Sequence, residues 1–116
     1  MSKRSDKLLL EDIIDSINEI QNFTTGLSFE QFSDDIKTMN AVLWSLSTIG
    51  EAANKLSTEL SQKYNEIDWH HIISFRNRII HEYFGVDYSL VWDVIKTQLE
   101  KLKLYAEMIL NTTELD

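Results

Sequence analysis

The chain has 116 residues, 43% of them hydrophobic, which is enough for one core and leaves no room for a second. Eleven Lys and Arg against 19 Asp and Glu give a formal net charge of −8, which argues against a broad duplex-DNA surface but allows a small local basic site. The absence of cysteine excludes disulfides, Cys-ligated zinc, iron–sulfur clusters and a thiol nucleophile, and it suits a reducing cytoplasm, where the protein is expected to act. No run approaches the roughly 20 apolar residues that span a membrane, and Glu11, Asp12 and Asp15 interrupt any signal-peptide core.

With no proline and three glycines, the chain lacks the frequent turn signals of an all-β protein, so an all-α fold is expected. Leu9, Leu10, Ile13, Ile17 and Ile20 recur at helical spacing and predict a helix over about Leu8 to Phe23, stopped at Gly26. Ser28, followed three residues later by Gln31, reads as the capping box of a short helix. From Asp34 or Asp35 to Leu60, one apolar stripe from Ile36 to Leu60 predicts a single long helix. Gly50 lies inside it, and its usual reason is close approach of another helix.

Asp68 is expected to cap a third helix from Trp69 to about Tyr83, ended by Gly85. Asp87 caps a last helix whose stripe runs from Val91 to Ile109, ending near Asn111, with a tail of about 112–116 expected to fray. Residues 1–116 therefore read as one domain, an up-and-down bundle of four to five helices.

The sequence has no Gly-x-Ser-x-Gly elbow, no phosphate-cradling Gly-x-x-x-x-Gly-Lys and no His-Glu-x-x-His. His70 and His81, eleven residues apart on one expected helix, would be separated by roughly 16 Å, too far to share a metal. No metal and no cofactor is expected, and His70 and His71 read as partly exposed structural residues of a first helical turn.

The segment Phe75-Arg-Asn-Arg-Ile-Ile-His-Glu-Tyr-Phe-Gly85 stands apart, because Arg76 and Arg78 are the only arginines outside the amino terminus and both precede His81 closely. On a continuous helix Asn77 and His81 share a stripe within about 40°, whereas Arg76 and His81 diverge by about 140°. Arginine's reach, or a second copy across a two-fold axis, would have to join them.

Arginine and histidine without a metal suit attack of a ribose 2′-hydroxyl on the adjacent phosphodiester. Histidine, titrating near neutrality, moves the proton, and arginine's fork holds the phosphate oxygens as charge grows. Only RNA supplies that hydroxyl. The residues also admit plainer roles. Arg78 and Glu82, four apart, fit an exposed ion pair; His81 could serve a helix dipole and Tyr83 could pack a helix end; Glu51 could be a solvated acid or orient Arg76.

Gly26-Leu-Ser-Phe-Glu-Gln-Phe, Ile49-Gly-Glu-Ala-Ala-Asn-Lys-Leu, Ile67-Asp-Trp and above all Phe75-Arg-Asn-Arg-Ile-Ile-His-Glu-Tyr-Phe-Gly-Val-Asp cover nearly the whole chain. Together they resemble the HepT-type members of the HEPN superfamily, the toxin half of modules paired with a minimal nucleotidyltransferase. The resemblance implies a helical bundle and a homodimer whose two Arg-x-x-x-x-His motifs meet in an interface cleft. It makes Arg76 and His81 a metal-independent ribonuclease pair with Asn77 as polar helper. It also makes Tyr83 the tyrosine to which a nucleotidyltransferase antitoxin adds AMP. Glu82 fills a variable position whose charge bears on substrate affinity. Two functions stay open beside the toxin ribonuclease: a catalytically weak HEPN subunit that binds such a partner or a nucleotide, and a general helical interaction module.

Overall fold

The computed structural model describes residues 4–81 and 85–112. The described chain is all-α, as expected, apart from one antiparallel pair of two-residue strands. Helix α1 spans Asp6–Thr24 and starts at Ser5, whose side chain accepts the Leu8 N–H. Its stripe of Leu9, Leu10, Ile13, Ile17 and Ile20 is buried throughout, which is what the three-and-four spacing of those residues requires. Helix α2, Phe29–Ser33, is the expected short element. Ser28 Oγ accepts the Gln31 N–H at 3.1 Å while the Gln31 side chain accepts the Ser28 N–H at 2.9 Å, closing the capping box.

The single long helix expected from Asp34 or Asp35 to Leu60 is instead two. Helix α3 covers Ile36–Lys55 and α4 covers Thr58–Lys63, with Leu56 extended between them. Ser57 makes the break, because its hydroxyl donates to the Asp6 carboxylate at 2.6 Å, its N–H donates to the same carboxylate at 2.9 Å, and its Oγ accepts the Leu60 N–H. An N-cap fastened to the first helix outweighs a continuous apolar stripe.

Helix α5 spans Trp69–Ile79, with Asp68 Oδ1 accepting the His71 N–H at 3.0 Å as its cap. It stops short of the expected end near Tyr83. Strand β1, Ile80–His81, pairs antiparallel with β2, Gly85–Val86, placing Ile80 opposite Val86 and His81 opposite Gly85. Gly85 has φ +77°, a conformation that favours glycine and lets the chain reverse here.

The last helix is also divided. Helix α6, Tyr88–Thr97, is capped by Asp87 as expected, and α7, Leu99–Thr112, follows a bend at Gln98. The Thr97 hydroxyl donates back to the Asp93 carbonyl at 2.7 Å, a bond that tends to bend helices. Thr112, expected in the frayed tail, is helical, and its hydroxyl donates to the Met108 carbonyl; residues 113–116 lie outside the described residues.

Four rods result, and they close a ring. Helix α1 packs on α3 and α7, α3 packs on α5, and the α6–α7 rod returns towards α5. Phe32, fully buried, stacks at a tilt on Trp92 with ring centroids 5.1 Å apart, so the short α2 locks α6 to the bundle. At Gly50 a β-carbon would stand 3.4 Å from the Ile73 carbonyl oxygen, so α3 and α5 approach backbone to backbone, the packing reason expected for a mid-helix glycine. Among the described residues no helix is long and apolar enough to cross a membrane.

Candidate active site

The close α3–α5 crossing fixes the rod that carries the basic segment. Arg76 lies in the last turn of α5, and His81 lies beyond the helix end, on β1. The two therefore do not share one helix. The angular separation of about 140° holds only for a continuous helix and does not describe two residues divided by the end of α5. The same change undoes the shared stripe of Asn77 and His81. The reason is local: Gly85 permits an extended pair, and β-branched Ile80 and Val86 suit strands better than helix interiors.

Asn77 is exposed on α5. Arg78 is exposed too, and its guanidinium meets His71 Nδ1 two turns back on the same helix face. Its expected partner Glu82, like Tyr83, lies outside the described residues. His71 itself is half-buried with its ring 6.2 Å from that of Phe75, so it is more than a capping-turn residue: it holds an arginine beside the Arg76 position. The seven-residue spacing, only about 20° short of two full turns, was the signal for this pair. Glu51 is exposed on α3 directly after Gly50, at the level where α3 touches α5. Among the described residues no cluster of three His, Asp or Glu side chains could hold a metal ion.

The arrangement is an all-α bundle with an arginine in the last turn of one helix and a histidine on the short strand that directly follows it. That is a bundle built around an Arg-x-x-x-x-His helix end. The ribonuclease HepT-like family model matches residues 13–109. "Probable ribonuclease HepT" of Thermococcus cleftensis is 40% identical over 101 residues, covering 87% of this chain and 92% of its own. "Putative RNase MJ1380" of Methanocaldococcus jannaschii is 34% identical over 109 residues, covering 94% of this chain and all of its own. "Putative RNase TTE0752" of Caldanaerobacter subterraneus is 35% identical over 101 residues, covering 87% and 90%. No solved structure gives a significant match. The chain belongs to the HepT-like ribonuclease family and carries a HEPN domain of the HepT type.

Proposed function

We propose that the protein is the toxin of a toxin–antitoxin module, a metal-independent endoribonuclease acting in the cytoplasm. The observation that carries this reading is the placement of Arg76 in the last turn of α5 and His81 just past the helix end on β1, in a chain of this family. The RNA supplies its own nucleophile. The 2′-oxygen attacks the adjacent phosphorus, the bond to the 5′-oxygen breaks, and a 2′,3′-cyclic phosphate remains. His81 takes the proton from the 2′-hydroxyl or gives one to the departing oxygen. Arg76, charged at any working pH, holds the phosphate oxygens as negative charge builds on them, and Asn77 assists by hydrogen bonding. Arg78, held by His71, adds positive charge beside the same helix end.

The working unit is a homodimer with both motifs in one cleft. Its restraint is a nucleotidyltransferase antitoxin: the Tyr83 oxygen attacks the α-phosphorus of ATP, pyrophosphate leaves, and the tyrosine carries AMP. The added phosphate would place negative charge beside Arg76 and bar RNA from the site.

Co-expression with the candidate antitoxin followed by intact-mass measurement tests the restraint. One or more AMP-sized increments that disappear in Tyr83→Phe are expected; an unmodified mass, or increments that survive the substitution, would refute it. Growth arrest on expression without the partner, relieved by Arg76→Ala or His81→Ala, is expected of a toxin. Arrest that persists in both variants, each shown to be folded, would refute the ribonuclease as its cause.

A further inference from the structure

A cavity of about 440 Å³ opens between α3, α5 and the α6–α7 bend. Its volume lies within the range of roughly 300–1,000 Å³ typical of small-molecule sites. Leu46, Ile49, Ile72 and Leu102 make apolar walls, and Phe75 and Tyr105 add aromatic surface. This lining suits a flat, uncharged ring, since bases gain affinity by stacking on aromatic side chains.

Besides His71 and Tyr105, four polar residues line the cavity. Glu66 and Asp68 come from the turn between α4 and α5, Gln98 from the α6–α7 bend and Lys101 from the first turn of α7. All four are exposed. Asp68 is already oriented by the His71 N–H, which Oδ1 accepts. Two carboxylates repel a phosphate and accept from ring or exocyclic N–H groups. Guanine offers two adjacent donors, N1–H and N2–H, that match the two oxygens of one carboxylate, and its O6 and N7 accept from a lysine or an amide. Uracil would turn carbonyl oxygens towards the carboxylates.

The position ties the cavity to the reaction. Phe75 in its wall is the residue before Arg76, and His71 in its wall holds Arg78. Arg76 lies about 7.5 Å along the helix axis from His71 but about 140° round it, so Arg78, within about 20° of His71, is the arginine that continues the cavity face towards the helix end. Resting on the ribonuclease reading above, we propose that this cavity is a base-binding subsite that takes a guanine next to the scissile phosphate. Glu66 is then a specificity residue that reads the base edge, and Arg78 guides the phosphate between subsite and motif.

The test has two arms on the intact protein. Guanosine and uridine are titrated separately while methyl signals of Ile49, Ile72 and Leu102 are followed by NMR, and cut sites on a mixed-sequence RNA are mapped for the wild type and for Glu66→Gln. Guanosine is expected to shift the cavity methyls and to bind at least about tenfold more tightly than uridine, with Glu66→Gln removing most of that preference. Cut sites are expected to be enriched in guanosine on one side, and among the cuts the variant still makes that enrichment should fade. Equal affinity for the two nucleosides, or shifts outside the cavity, with RNA still cut, overturns the subsite and leaves the ribonuclease standing. Guanosine binding in the cavity of a protein that cuts no RNA overturns the role in cleavage and, with it, the ribonuclease reading. Neither binding nor cutting overturns both.

Discussion

His81 stands directly opposite Gly85 in the antiparallel pair that follows α5. Gly85, at φ +77°, belongs to the strand that pairs with His81, so its backbone supports the strand that carries the motif histidine past the end of α5. Nothing crowds a β-carbon at this position, so a substitution there acts through the backbone alone. Gly85→Ala is expected to cost roughly 1 kcal/mol in chemical denaturation and to lower RNA cleavage by a larger factor than that loss explains. Cleavage that falls only in step with stability would mean that the reversal does not position His81.

The α3–α5 crossing leads to a graded pair of substitutions. A β-carbon at Gly50 meets the Ile73 carbonyl oxygen at 3.4 Å, an ordinary contact, while alanine gains about 1 kcal/mol of helix preference. Gly50→Ala is expected to be neutral or mildly stabilising. Gly50→Val, which has no room beyond that contact, is expected to destabilise by roughly 1–3 kcal/mol and to displace the helix bearing Arg76. Thermal or denaturant unfolding of the two variants checks the order.

Phe32 anchors a helix of only five residues, and its ring meets both Trp92 and Tyr88. Phe32→Ala is expected to cost about 3–5 kcal/mol, because a fully buried aromatic leaves a cavity that a short helix cannot close. Near-ultraviolet circular dichroism should lose the contribution of Trp92 as α2 and α6 part. A cost below 1 kcal/mol would show that α2 is dispensable to the bundle.

Asp35 caps α3, and the Thr38 hydroxyl, followed by the Thr38 N–H, holds its carboxyl below the usual carboxylate range. A group whose folded pKa is depressed contributes stability that is present above its unfolded value and lost as pH falls through the folded one. The acid limb of the stability curve, below about pH 4, should therefore flatten in Asp35→Asn. An unchanged slope in that window would remove Asp35 as a contributor.

Much of the fold could be read from the residues. The stripe from Leu9 to Ile20, the capping box of Ser28 and Gln31 and the caps at Asp68 and Asp87 lie where local chemistry puts them. The breaks were not legible, for distinct reasons. Ser57 interrupts an unbroken apolar stripe only because Asp6, far away in sequence, binds it. Thr97 bends the last rod by a bond to its own backbone that many helical threonines make without consequence. The end of α5 at Ile79 depends on the pairing of Ile80 with Val86, a contact that helical periodicity cannot register. For the site, the motif is legible as a local cluster, while Arg78 has two partners at helical spacing, His71 and Glu82, which spacing alone does not rank. The cavity was not visible, since its walls come from three rods whose approach is set by packing.

The central claim is metal-independent cleavage through His81, and the chemistry of the cut ends tests it most directly. Antitoxin-free protein is incubated with mixed RNA in EDTA beside a His81→Ala control whose folding is verified by circular dichroism. Fragments ending in 2′,3′-cyclic phosphate that vanish in the variant are the predicted result. Intact RNA, or identical cyclic-phosphate fragments from the folded variant, would contradict it.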